Sequence, residues 1–228
     1  MTDTTILEKK IGFSFKNKTL LIQALTHRSF LNENSKYKIS NERLEFLGDS
    51  VLSLLTSTKL FSLFPSFPEG QLTNLRSTLV RAETLAQVAQ NLDLGDFMLI
   101  SVGEEKSGGR ENESLLANLF EAILGAIFLD LGLEKAGQFL EKNLFIKIKS
   151  VAQSPVIYDF KSKLQEVTQE KTQASPVYKV ISETGPDHNK IFTVEVYLQS
   201  KLLAQGSGKS KQEAQQDAAK IALNQFKM

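Results

Sequence analysis

The sequence predicts an all-helical domain followed by a smaller domain of α-β-β-β-α order, an α plus α+β architecture. Three observations carry this. From Ile6 to about Lys149 apolar residues recur near the helical period of 3.6. The pattern then becomes strict alternation at Phe192, Val194, Val196 and Leu198. Last, Ala214, Ala218 and Ala222 fall at i, i+4 and i+8, a stripe that lets a closing helix lie close against a sheet. The change of period divides the chain into a helical domain at 1–149, a linker at 150–157 around a Ser-Pro step, and a second domain at 158–228.

In order, helices are expected within 15–30, from Glu42 onward, over 71–92, over 111–130 and over 134–145. LFPSFPEG with two prolines and KSGGR with two glycines break the series. In the second domain 158–171 reads as a helix with Phe160, Leu164 and Val167 on one face. Strands follow over 175–184, 189–200 and 201–208, and 209–223 closes as a helix.

With 41% hydrophobic residues the chain can build a real core. It has no cysteine, which excludes disulfides and thiolate metal sites. Its two histidines, His27 and His188, lie far apart, so a zinc site is not expected. His27, in THRSF, reads as a hydrogen-bonding residue near a helix end. Any metal should have hard oxygen ligands, which means Mg²⁺ with Mn²⁺ as substitute. The N-terminus carries no secretory pattern, and Leu115–Leu131 reads as a core helix too short and too polar at Glu121 to cross a bilayer. A cytoplasmic protein with no membrane partner and no small-molecule cofactor is expected. Net charge is only +1, and residues 156–228 hold ten lysines against eight acids. A case for nucleic acid must therefore rest on placed groups. GSGKS lacks the spacing of a P-loop and follows no parallel-sheet pattern, which argues against nucleoside triphosphate binding.

The strongest clue lies in LLANLFEAILGAIFL, residues 115–129, where only Asn118 and Glu121 are polar. Three apart, they share a helix face, and a carboxylate in so apolar a stretch needs a compensating cation or full hydrogen bonding. Upstream, Glu42, Glu45 and Asp49 lie within about 60° of one another on a helical wheel. Taken alone, that trio more often marks a solvated helix face than a site. Two helices presenting carboxylates to each other are raw material for a magnesium centre.

NERLEFLGDS, residues 41–50, resembles the signature of the ribonuclease III family. LTHRSF at 25–30, PEG at 68–70, VGEEKSGGR at 102–110 and LFEAILGAIFLD at 119–130 extend the resemblance. The C-terminal part resembles the double-stranded RNA-binding domain that follows the nuclease domain in the simplest members. The resemblance implies a homodimeric, Mg²⁺-dependent endonuclease that cuts double-stranded RNA to 5′-phosphate and 3′-hydroxyl ends, in maturation of ribosomal RNA precursors and processing of messages. It places Glu45, Asp49, Asn118 and Glu121 at the metal positions, with Asp49 and Glu121 catalytic. Glu42 and Glu69 match supporting acidic positions, and Phe46 a dimer contact. The family pattern has Asp where this chain has Asn118.

For RNA, the resemblance implies three contact regions: Gln165, Glu166 and Gln169 on the first helix; Pro186 and His188 in the TGPDHN connection; and Lys209, Ser210 and Lys211 at the start of the last helix. Ser210 and Glu213 have the spacing of a capping box, and the helix start suits a phosphate. The family usually has a further lysine at Gln212. One alternative stays open: a double-stranded RNA-binding dimer whose cleavage is weakened by Asn118. A weaker one is a helical dimer serving as a scaffold.

Overall fold

The computed structural model describes residues 4–152, 160–186 and 190–226. It divides into two compact units, Met1–Val151 and Ala152–Met228.

The first unit is helical: α1 (Thr4–Ile11), α2 (Lys18–Leu25), α3 (Arg28–Leu31), α4 (Glu42–Leu63), α5 (Glu69–Val80), α6 (Ala82–Asn91), α7 (Val102–Lys106), α8 (Glu113–Leu131), α9 (Leu133–Asn143) and α10 (Ile148–Ala152). Local chemistry starts several of them. Asn17 caps α2 by accepting from Thr19 N, and Asn112 caps α8 by accepting from Leu115 N. His27 caps α3, its Nδ1 accepting from Ser29 N. An isolated parallel bridge, Thr26 with Leu99, ties the end of α2 to the loop before α7.

Two expectations change. The helix over 71–92 is two helices, broken at Arg81 in extended backbone. The break lets Leu79 and Leu85 both reach full burial, and Thr84 Oγ1 donates to Thr78 O across it. No glycine or proline marks the place, so tertiary packing overrides helix propensity there. The linker also starts later: residues 150–152 are helical because buried Ile148 anchors α10 to the first unit. The rest of that expected linker, 153–157, lies outside the described residues.

α8 is the centre of this unit. Leu116, Leu119, Phe120, Ile123, Leu124 and Ile127 are all buried, and Phe120 stacks on Phe139 of α9 with ring centroids 5.3 Å apart. Its 19 residues suffice in length and hydropathy to cross a membrane, so the sequence argument from length does not hold. Packing inside the helical unit is what makes it a core helix.

The second unit is α11 (Phe160–Thr172), β1 (Pro176–Thr184), β2 (Ile191–Leu198), β3 (Lys201–Gly208) and α12 (Lys211–Phe226), with an antiparallel sheet in the order β1-β2-β3. Val194 and Val196 are fully buried, and Val196 shares a core with Leu164, with Phe160 and Val167 packed at its edge. Ala214, Ala218 and Ala222 are fully buried. The alanine stripe has a counterpart in β3: a Cβ on Gly206 would lie 2.1 Å from Ala218 N. Helix and strand therefore meet at backbone distance.

Candidate active site

The acidic residues are assembled by the crossing of α4 and α8. A Cβ on Gly48 would fall 1.8 Å from the carbonyl oxygen of Glu121, and one on Gly125 would fall 2.2 Å from the carbonyl oxygen of Leu44. Only glycine at both points lets the helices touch backbone to backbone. Glu45 and Asp49 flank Gly48 in sequence, and Glu121 precedes Gly125 by one turn.

The charges respond to one another. The Glu121 carboxyl is pushed up to about 7, first by burial, then by the charges of Asp49 and Glu45. Glu45 is raised by burial, then by Glu42 and Asp49. Three carboxylates from two helices thus share one field, with half-buried Asn118 one turn before Glu121. Among the described residues no three histidine or acidic side chains form a metal cage by themselves. Mg²⁺ needs no such cage, since it keeps several waters and takes one or two protein carboxylates. Hard oxygens that repel one another and are partly desolvated are a donor set that a divalent ion relieves. The residues fit the ion.

Glu42 turns toward α3: its carboxylate accepts from Ser40 Oγ at 2.8 Å and lies 3.8 Å from Arg28 Nη1. Glu69 is elsewhere. It opens α5, accepts from Thr73 Oγ1 at 2.9 Å, and lines a cleft of about 720 Å³ with Phe61, Phe67, Leu72 and Arg76. Ser57 and Thr58 on the same wall lie eight or nine residues beyond Asp49, about 12–14 Å along α4. Phe46 is 77% exposed, although it follows the ligand candidate Glu45 directly.

Some site-building residues escaped the sequence reading. Gly48 and Gly125 carried a signal, because interior helix glycines cost roughly 1 kcal/mol relative to alanine and ask for a packing reason. Arg110, at the end of the KSGGR break, is a clamp. Its Nη1 donates to the carbonyls of Gly95 and Met98 at 2.7 and 3.0 Å, and its Nε donates to Glu105. It steadies the segment leading into α8.

In the second unit Gln165, Glu166 and Gln169 lie exposed on α11, and Pro186 is exposed after β1. His188 lies outside the described residues. Ser210 Oγ accepts from Glu213 N at 3.1 Å, while the Glu213 carboxylate reaches back to Lys209 N at 2.8 Å. Lys209 and Lys211 are exposed, and Lys211 Nζ sits 2.9 Å from Glu183 Oε1 on β1. Lys161 of α11 donates to Gln215 of α12 at 2.7 Å. These bonds hold α11, the end of β1 and the start of α12 along one flank.

Comparison with known proteins bears on both units. A ribonuclease-III-like family model matches residues 17–148, and a double-stranded RNA binding motif matches 160–226. Ribonuclease 3 of Protochlamydia amoebophila is 47% identical over 97% of this chain and 91% of its own length. Ribonuclease 3 of Geobacillus kaustophilus is 47% identical over 95% of this chain and 88% of its own. A solved nuclease domain of ribonuclease III from Campylobacter jejuni, described as flexible in a region involved in dimer formation, is 44% identical. It covers 63% of this chain and 97% of its own, with a TM-score of 0.59. With a helical unit built around crossing acidic helices and a second unit built as an RNA-binding motif, the chain belongs to the ribonuclease III family.

Proposed function

We propose that this chain is a homodimeric, Mg²⁺-dependent endoribonuclease that hydrolyses double-stranded RNA, with Mn²⁺ as a working substitute. The observation that carries it is the grouping of Glu45, Asp49 and Glu121 where α4 crosses α8, within the segment matched by the nuclease family. The second unit supports duplex RNA as substrate. Relatives matched over nearly the whole chain favour the enzyme over a binder weakened at Asn118 or a scaffold.

Glu45, Asp49, Glu121 and the amide oxygen of Asn118 would hold the ion. When bound, it supplies charge neutralisation at the phosphodiester and a route to hydroxide near neutral pH. Asp49 and Glu121 would orient the attacking water where α4 crosses α8. The water oxygen bonds to phosphorus as its proton passes to solvent, the P–O3′ bond breaks, and O3′ leaves as a hydroxyl by taking a proton from solvent. The strand ends are 5′-phosphate and 3′-hydroxyl.

For the dimer, α4 offers Phe46, Leu54 and Phe61 within about 80° of each other on a helical wheel, all exposed. A two-fold axis near Leu54 sets Phe46 of one copy against the cleft beside Phe61 and Phe67 of the other. Glu69 lines that same cleft, which accounts for its distance from the carboxylates of its own chain. Duplex RNA is gripped by Gln165, Glu166 and Gln169 in one minor groove, Pro186 and His188 in the next, and Lys209, Ser210 and Lys211 on the phosphates between. Processing of structured RNA precursors in the cytoplasm is the setting this proposal implies.

The test is cleavage of a long, perfectly paired RNA with Mg²⁺ and with chelator, for this chain and Glu121→Gln. Cutting that needs metal and is lost in the variant, with RNA binding intact, is the expected result. Cutting that persists in Glu121→Gln sinks the site assignment.

A further inference from the structure

The contact at Gly48 and Gly125 fixes where α4 and α8 touch, but not the angle between them. Ridge-and-groove packing alone gives a crossing angle a spread of about 15–20°. That spread is too wide for a metal centre. Asn118 lies seven residues before Gly125, about 10 Å along the helix. A pivot of roughly 5° about the crossing moves Asn118 by about 1 Å, whereas Mg²⁺ asks for near-ideal octahedral geometry at about 2 Å. The site therefore needs the two helices held at a set angle.

Away from the crossing, a chain of hydrogen bonds joins the start of α4 to the start of α8. Asn41, buried directly before α4, donates its N–H to Thr26 O at 2.8 Å. Thr26 forms the parallel bridge with Leu99, in which Leu99 N donates to Leu25 O at 2.8 Å and His27 N to Leu99 O at 2.9 Å. Met98, the next residue back, and Gly95 offer their carbonyls to Arg110 Nη1 at 3.0 and 2.7 Å. Arg110 stands two residues before Asn112, the cap of α8. Its backbone is seated as well: a Cβ on Gly95 would lie 2.4 Å from Arg110 O and 3.4 Å from Cδ2 of Leu116, a buried residue of α8. The two helices and this tie make a triangle. Asp49 lies beside its apex, Glu45 is on one arm, and Asn118 and Glu121 are on the other.

The links of the tie are backbone bonds except the last, which is the guanidinium. Its planar fork serves two carbonyls through Nη1 and the Glu105 carboxylate of α7 through Nε at 2.8 Å. A lysine ammonium is a point donor without that fork. We propose that Arg110 is a positioning residue for the metal centre: by tying the 95–98 turn to the start of α8 it sets the angle at which Asn118 and Glu121 face Glu45 and Asp49. The proposal rests on the nuclease reading above and deepens it. In this role Arg110 touches neither ion nor RNA; it keeps the four donors placed before the ion arrives.

The experiment uses the full chain. Mg²⁺ binding is read without RNA, as the concentration needed for a set rise in Tm, and cleavage of a paired RNA is read against Mg²⁺ concentration. Loss of the tie that leaves about a tenth of the molecules at the competent angle weakens apparent affinity about tenfold. Arg110→Gln should thus raise both Mg²⁺ concentrations about tenfold, with kcat at saturating Mg²⁺ within about twofold of the parent, since the bound ion selects the competent angle. Arg110→Lys should fall between the two, and it carries the test alone where Arg110→Gln does not fold. Ile148→Ala opens a cavity elsewhere in the same unit and controls for lost stability. It should lower Tm without moving either Mg²⁺ concentration. A folded Arg110 variant with the parent's Mg²⁺ response overturns the proposal, as does an equal shift in Ile148→Ala. A kcat that stays depressed at saturating Mg²⁺ overturns it too. A parent chain that neither responds to Mg²⁺ nor cuts RNA with it overturns the nuclease reading, and the proposal falls with it.

Discussion

Gly48 of α4 and Gly125 of α8 meet at the point where the two helices cross, with backbone atoms where side chains would otherwise stand. A Cβ on either would press into a carbonyl oxygen of the other helix, at 1.8 Å from Glu121 O and 2.2 Å from Leu44 O. Contacts that short must be relieved by moving a helix, since neither partner is the end of a flexible side chain. The same crossing gathers the carboxylates, so stability and metal binding are joined there.

Gly48→Ala should therefore destabilise the protein by about 3 kcal/mol or more, at or above the usual range for overpacking. For a chain of this size that is a drop in Tm of roughly 6–12 °C. The rise in Tm on adding Mg²⁺ should shrink as well. Thermal melts with and without the ion check both, and an unchanged ion response would uncouple the crossing from the site.

The raised carboxyl of Glu121 makes metal-free stability depend on pH. Between the ordinary value of 4.5 and about 7 the folded protein holds a proton that the unfolded chain has released. Stability is thus fully present below 4.5 and is lost as pH rises through about 7. Glu121→Gln should flatten this slope and melt higher than the parent at pH 8 in chelator. Glu121 is partly exposed, so solvent screening keeps the effect modest. Melting curves from pH 5 to 8 decide it.

Asn118→Asp adds a charge beside two raised carboxyls. The variant should bind Mg²⁺ more tightly, read as a larger Tm increase at equal ion concentration, and be less stable in chelator. If cleavage rates of the two proteins agree at saturating Mg²⁺, the amide is an adequate ligand.

Phe46 is exposed and should act as an anchor between copies. Phe46→Ala should weaken the dimer by about 2–4 kcal/mol, roughly 30- to 1,000-fold in Kd, without unfolding the protomer. Sedimentation velocity across a dilution series measures this, and a dimer unmoved by the change would place the interface elsewhere.

Lys209→Ala should weaken duplex binding about equally for all sequences and reduce the slope of log K against log salt by about one. A change that depends on sequence would mean that this lysine reads bases.

Much of this protein was legible from residue order, because local patterns report local structure. The switch from period 3.6 to period 2 separated the two folds, and the burial of Val194, Val196, Ala214 and Ala218 follows that pattern. The polar pair Asn118 and Glu121 in an apolar helix, with the acids after Asn41, named the candidate site. Tertiary structure decided what depends on partners distant in the chain. It split the helix at Arg81 so that Leu79 and Leu85 could both be buried, made Arg110 a clamp between α7 and the turn holding Gly95 and Met98, and sent Glu69 to a separate cleft. Above all it crossed α4 and α8 at two glycines. Periodicity tells which face of a helix is apolar, but only packing between helices sets which carboxylates come near enough to repel, and so to hold a cation.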